Sequence, residues 1–267
     1  MLLNVAYPFL PKRRSLRTSF VMDHFGVDFD QGEHVVARNV ELDVRRGDVA
    51  LFNGPSGSGK SSLLRAAAEQ LQSQATVLWI DRLELPDLPL VDAMPAPVQA
   101  SLELLAACGL SEAQLLLRTP AELSDGQRYR FRLAMALALA IPRRPAFLVA
   151  DEFSAALDRT LARVLACNLR RFASRSGIGF LLATTHEDIA DDLAPDLHVR
   201  CDLDGQMSVV RRPSPAGEGN GPRTTEHGPQ RAVSFFASSG SARAPDPTGR
   251  TSLGGITAAT TSGRSSA

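Results

Sequence analysis

The run Gly54-Pro55-Ser56-Gly57-Ser58-Gly59-Lys60-Ser61 has the spacing G-x-x-x-x-G-K-[ST], and each residue type in it suits the capture of a polyphosphate. The glycines permit a tight curl in which successive backbone N–H groups turn toward an anion. Lys60 would bring a point charge to the β- and γ-phosphates, and the Ser61 hydroxyl would reach a magnesium ion. A second set of reactive side chains lies downstream. Ala146-Phe147-Leu148-Val149-Ala150 is an apolar run that ends in Asp151 and Glu152. The tip of a buried strand is where open α/β sheets bind ligands. Phe180 to Thr185 is a similar run ending at His186. Transfer of a phosphoryl group to water needs charge neutralisation and an aligned nucleophile more than covalent help. A lysine, a metal, a helix N-terminus and a carboxylate supply those parts.

Flanking patterns predict the elements that hold these groups. Val49 to Phe52 reads as a buried strand before the glycine loop, and Ser62 to Leu71 as a helix whose N-terminus faces the phosphates. Val40-Glu41-Leu42-Asp43-Val44 alternates as a half-buried antiparallel strand does, with Phe20-Val21-Met22 and Val35-Val36 as further short strand pieces. Thr76 to Ile80 is another buried strand. Residues 81–140 are broken by Pro86, Pro89, Pro95, Pro97 and Pro120 and contain helical runs at Val98–Ala107 and Arg128–Ala140, so they read as a small helical subdomain. A helix follows Asp158. Leu197 to Leu203 and Met207 to Val210 flank Asp204-Gly205, a hairpin signal.

Within 267 residues, the 29 Lys and Arg balance 29 Asp and Glu, so overall charge favours no nucleic-acid or acidic partner. Residues 1–19, with Lys12, Arg13, Arg14 and Arg17, read as a basic, flexible head. Residues 213–267, rich in Gly, Ser, Thr and Pro, read as a disordered tail. Cys108, Cys167 and Cys201 lack paired spacing and fit reduced thiols of a cytoplasmic protein. No apolar run approaches the roughly 18 residues of a membrane span, and the order of charge and apolarity at the start is the reverse of a secretion signal.

Five motifs stand in one order: the glycine loop at 54–61, Leu-Ser-Asp-Gly-Gln at 123–127, Asp151-Glu152, Ser-Ala-Ala-Leu-Asp at 154–158, and His186. This order resembles the ATP-binding cassette (ABC) ATPases over roughly residues 20–212. Leu-Ser-Asp-Gly-Gln-Arg-Tyr-Arg-Phe-Arg-Leu-Ala and Ala-Thr-Thr-His further resemble a soluble group of that family, some of whose members carry an acetyltransferase-like domain absent here. The resemblance implies an α/β fold of P-loop type, with a mixed sheet, an antiparallel β subdomain and a helical subdomain. It implies ATP as substrate, bound by Gly54, Pro55, Ser56, Gly57, Ser58, Gly59, Lys60, Ser61 and Ser62. It places Mg²⁺ on Ser61 and Asp151, Glu152 on the attacking water, and His186 at the γ-phosphate. It also implies a head-to-tail homodimer in which Ser124, Asp125, Gly126 and Gln127 reach the partner's ATP and Asp158 lies at the seam. An aromatic side chain stacked on the base is assigned to Phe29, with Phe25 as its competitor.

Two positions depart from transporter cassettes. Asp125 stands where glycine is usual, which sets a carboxylate near the partner's γ-phosphate unless it turns away or pairs with Arg128. No glutamine follows the Thr76–Ile80 strand; Asp81-Arg82-Leu83-Glu84 stands there. The segment from Asp81 to Leu123 also reads as short for docking onto a membrane subunit. The resulting expectation is a soluble ATPase that switches an unidentified macromolecule, nucleic acid included. The ATP-binding subunit of a membrane transporter ranks second, and a nucleotide-gated scaffold with negligible hydrolysis third.

Overall fold

A computed structural model describes residues 1–8, 13–26, 33–203 and 205–212. The remaining positions, including Phe29 and the expected tail at 213–267, lie outside the described residues. Two sheets organise the chain. Strands β1 (Leu2–Pro8) and β2 (Glu33–Glu41) pair antiparallel. Between them lies helix α1 (Leu16–Phe25). The large sheet has six strands: β3 (Val49–Asn53), β4 (Thr76–Trp79), β5 (Ala146–Ala150), β6 (Gly179–Thr184), β7 (Leu197–Cys201) and β8 (Met207–Arg211). Their spatial order is β4-β5-β6-β3-β7-β8, with β8 alone antiparallel to its neighbour. The fold is that of a P-loop cassette with a mixed sheet, as expected.

The helices are α2 (Lys60–Leu71), α3 (Leu90–Ala93), α4 (Val98–Ala107), α5 (Ala113–Leu116), α6 (Asp125–Ala140), α7 (Arg159–Ser176) and α8 (Ile189–Leu193). The sheet is covered on both faces, and β3 shows how. Val49 and Leu51 join a core with α4, α6 and α7, while Ala50 and Phe52 join a second core with α2 and the β1–β2 pair. Every residue of β3, β5 and β6 is buried, which is why these strands read as unbroken apolar runs and not as alternating ones. Phe52, Phe131, Phe153 and Phe180 are among the largest fully buried side chains; each contributes about 1.5–3 kcal/mol of burial.

Two sequence expectations change here. The head at 1–19 begins as a strand: β1 pairs with β2, the Met1 amino group donates to the Leu42 carbonyl, and Gln70 of α2 donates to the Leu2 carbonyl. Its alternation Leu3, Val5, Tyr7 is the signal that the flanking prolines and arginines obscured. Phe20-Val21-Met22 is helical. Ser15 and Thr18 form a capping box at the start of α1, and Gly26 closes it with φ 62°; such caps stabilise a helix by about 1 kcal/mol and decide the conformation of a run too short for periodicity to settle.

The three thiols are free. Burial pushes Cys108 up to about 12 and Cys201 up to about 11, so at neutral pH neither supplies appreciable thiolate. Alkylation of the native chain at pH 8 is therefore expected to modify the half-buried Cys167 first, with Cys108 and Cys201 reacting only in denaturant. Mass spectrometry of peptides from briefly labelled protein checks this; early labelling of Cys108 would show that the α4 end is not packed as described.

Candidate functional site

Parallel pairing gathers the reactive side chains. Asn53 at the end of β3 pairs with Thr184 at the end of β6, Ala150 of β5 with Leu182, and Trp79 of β4 with Val149. The chain leaving each of these four strands therefore emerges on one edge of the sheet. The glycine loop, Asp81, Asp151 with Glu152, and His186 all leave from that edge. A cleft of about 510 Å³ opens there, lined by Ser56, Gly57, Gly59, Lys60, Ser61, Ser62, Asp151, Glu152 and His186, with Tyr7 and Val36 from the small sheet.

The loop is built by close contacts. Gly59 has φ 87°, and a Cβ there would fall 2.3 Å from a Val36 methyl; at Gly54 one would fall 2.0 Å from the Cys201 carbonyl oxygen. Only glycine lets both neighbours approach. Gly54 is thus a packing residue behind the cleft. Pro55 contributes its carbonyl, which accepts from the Lys60 ammonium at 2.6 Å. The Ser58 hydroxyl is buried with no protein partner among the described residues. Burial draws the Lys60 ammonium below the usual lysine value, opposed by Cys201, Asp151 and Glu152. The Ser61 hydroxyl donates to Asp151 Oδ1 at 2.9 Å.

After β5 the backbone takes a sharp course. Phe153 is fully buried, and its N–H donates to the Ala183 carbonyl at 2.7 Å. Pinned on that side, Glu152 adopts φ 58° and Ser154 φ 69°, a region costly for residues with a side chain and tolerated where surrounding structure fixes it. The result leaves the Glu152 carboxylate on the cleft wall. His186 is held from its backbone: its N–H donates to the Thr184 hydroxyl at 3.1 Å, and its carbonyl accepts from the Asn53 amide at 3.0 Å.

The sequence missed several of these partners. Asn53 was not singled out, and Thr184 was read only as part of the run before His186. Tyr7, which the sequence did not single out, lines the cleft, as does the buried Phe153; Phe25 is 72% exposed at the end of α1 and is not among the lining residues, and Phe29 lies outside the described residues. Asp81, where no glutamine stands, accepts a hydrogen bond from the Asp151 N–H at 3.0 Å. Crowding by protein raises the Asp81 carboxyl above the usual carboxylate range; that hydrogen bond and Arg132 pull it down, and the Asp151 and Glu152 charges push it up.

Ser124, Asp125, Gly126 and Gln127 do not reach this cleft. Ser124 caps α6, its hydroxyl accepting from the Gln127 N–H at 3.3 Å while the Gln127 side chain accepts from the Ser124 N–H at 3.0 Å. Asp125 pairs with Arg128 at 3.2 Å. Gly126 lies against the Ala156 carbonyl, which a Cβ would approach to 2.8 Å. Asp158 caps α7 by accepting from the Leu161 N–H at 2.9 Å.

This fold and this constellation define a P-loop nucleotide hydrolase of cassette type. Residues 37–96 match the family described as ABC transporter. The aliphatic sulfonates import ATP-binding protein SsuB 2 of Nocardia farcinica is 33% identical over 196 residues, covering 68% of this chain and 79% of that protein. The phosphonates import ATP-binding protein PhnC of Hyphomonas neptunium is 31% identical over 204 residues, covering 61% and 76%. The dimeric structure of a bacterial ABC transporter cassette superposes with a TM-score of 0.54 at 19% identity, covering 79% of this chain and 97% of that one. The chain belongs to the family of ABC transporter ATP-binding proteins and is an ATPase.

These relatives overturn the ranking of partners drawn from the sequence. They are named as ATP-binding proteins of import systems, and nothing in them favours the soluble group or a nucleic-acid target. The membrane subunit, ranked second, moves to first. Neither Asp81-Arg82-Leu83-Glu84 in place of a glutamine nor the short insert keeps the chain from matching an import cassette over two thirds of its length.

Replacing Gly59 with Ala should lower stability by about 1–3 kcal/mol, since it sets a Cβ against Val36 at a φ that side chains resist. Thermal unfolding measures this; an unchanged Tm would mean that β2 does not lie over the loop.

Proposed function

We propose that this chain is the ATP-binding subunit of a membrane transporter, hydrolysing ATP to ADP and phosphate and passing the resulting change of shape to a membrane-spanning partner. The observation that carries the reading is the convergence of Lys60, Asp151, Glu152 and His186 on one cleft in a chain whose relatives are named as ATP-binding proteins of import and of lipoprotein-releasing systems.

In this reading Lys60 and the loop N–H groups neutralise the phosphates, and Tyr7 stacks on the base. Glu152 orients the attacking water, and His186 contacts the γ-phosphate. The Ser61 hydroxyl and the Asp151 carboxylate, already in contact at 2.9 Å, form an all-oxygen pair of the kind Mg²⁺ prefers when a nucleotide completes its coordination. Those two residues would hold the ion, and Asp81 fixes the Asp151 backbone behind them. The ion supplies charge neutralisation at the β- and γ-phosphates. Without a cation, Asp81, Asp151 and Glu152 crowd three carboxylates together, which a bound divalent ion relieves.

Ser124 to Gln127 sit outside their own cleft, and this supports their use toward a second cassette. Arg128 draws the Asp125 carboxylate aside and so removes the objection to an acid at that position. Toward the membrane partner, the helical segment offers an exposed apolar group. Leu88, Val98 and Leu117 are exposed, and the Leu90 N–H to Arg118 carbonyl bond holds the chain around Leu88 and Leu117 together. None of the described helices is long and apolar enough to cross a membrane, so the spanning part of the transporter would come from another chain or from elsewhere in the sequence.

Glu152→Gln is expected to retain ATP binding and lose turnover by roughly 10²–10⁴, the usual worth of a positioned acid or base. Lys60→Ala should instead lose nucleotide binding. Fluorescent-nucleotide titration beside phosphate release separates the two, and hydrolysis at the normal rate in the Gln variant would remove Glu152 from the mechanism. Capture of the tagged chain from detergent-solubilised membranes of its own cell should bring down a polypeptide with several apolar spans. Recovery from the soluble fraction alone, with full ATPase activity, would sink the transporter reading.

A further inference from the structure

Helix α1 is inside out. Its inward side carries Thr18 and Ser19, both half-buried residues, and a single buried apolar side chain, Met22. Its outward side carries Leu16, Phe20, Val21 and Phe25, exposed to 91%, 70%, 53% and 72%. With residues three and four apart adjacent on a helix, Leu16, Phe20 and His24 form one outward row and Arg17, Val21 and Phe25 the next. Phe20 stacks on His24 at 6.0 Å, and His24 meets Phe25 edge-on at 5.2 Å, so the rings form one continuous patch. The caps at Ser15 and Gly26 hold the helix in shape, but ten residues are too few for a helix to be stable in water on its own. A contiguous apolar face on such a helix marks a surface that something covers.

The charges beside the patch say what covers it. Lys12, Arg13, Arg14 and Arg17 precede or open the helix, against the single carboxylate of Asp23 between residues 12 and 26. Arg13 and Arg17 are exposed and form no ion pair among the described residues. A second copy of the chain would bring these guanidinium groups together and repel. A nucleic acid would meet the cations but leave Leu16 and Val21 without a complement. An anionic bilayer offers phosphates and hydrocarbon at adjacent depths, the combination a short cationic amphipathic helix fits. At about 15 Å the helix is too short to span a bilayer and long enough to lie in its interface.

We propose that α1 is a membrane-surface anchor, with Leu16, Phe20, Val21 and Phe25 entering the interface of an anionic bilayer and Arg13 and Arg17 held at lipid phosphates. The contact is to lipid and does not depend on any membrane protein.

Flotation of the full chain with protein-free vesicles tests this without engaging the transporter reading. Binding should be strong to phosphatidylcholine mixed with phosphatidylglycerol, weak to phosphatidylcholine alone, and reduced by salt. Leu16→Ser with Phe20→Ser, and separately Arg13→Glu with Arg17→Glu, should each lower binding to the mixed vesicles by roughly tenfold or more. ATPase rate and circular dichroism should stay unchanged, since all four positions are exposed and away from the cleft. The proposal would be overturned by equal binding to both vesicle types or to neither, by undiminished binding in either double variant, or by a wild-type oligomer in size-exclusion chromatography that the Leu16/Phe20 variant dissolves. Homopolymeric RNA that outcompetes the mixed vesicles would overturn it as well.

Discussion

Side by side in the sheet, β4, β5, β6 and β3 run in the same direction, and the site depends on that alignment. A parallel ladder fixes where each strand ends relative to its neighbours. Asp81, Asp151 with Glu152, His186 and the glycine loop come from positions far apart in the chain, yet they share one edge because Trp79, Ala150, Thr184 and Asn53 lie in register or nearly so. Helices on both faces make the arrangement rigid, and every residue of the three central strands is buried.

On that edge, strain and close packing do the remaining positioning. The buried Phe153 side chain and its hydrogen bond to Ala183 force the turn that leaves Glu152 in the left-handed region. Val36 and the Cys201 carbonyl press on Gly59 and Gly54 from outside the loop. The loop's shape is therefore imposed partly by β2 and β7, strands that carry none of the chemistry. Asp81 acts in the same indirect way, through the Asp151 backbone.

The cassette also presents two apolar surfaces that its own core does not need. One is formed by Leu88 and Leu117 on the helical segment, held together through the Leu90 N–H to Arg118 carbonyl bond; the other is the outer face of α1. The arginines lie beside α1, which gives that face a complement in anionic lipid, while the helical segment offers shape and apolarity to a protein.

Motif residues were legible because their chemistry is local. Gly54 to Ser61, Asp151, Glu152 and His186 are recognisable from residue type, spacing and the apolar run before each, and α4 stands at Val98–Ala107 as its pattern predicts. Tyr7 was not legible as a cleft residue, because its place depends on β1 pairing with β2 across more than twenty residues of intervening chain. Phe20-Val21-Met22 read as strand because three apolar residues carry no period, and only the caps at Ser15 and Gly26 decide for helix. The sequence by itself determined the glycine loop and the strand-end acids on which the proposed reading rests, since a curled glycine loop and a strand end are set by neighbouring residues. Only the tertiary structure decided that Tyr7 lines the cleft, that Asp81 stands behind Asp151, and that α1 turns its apolar side outward, because each rests on contacts between segments whose separation in the chain leaves no trace in local pattern.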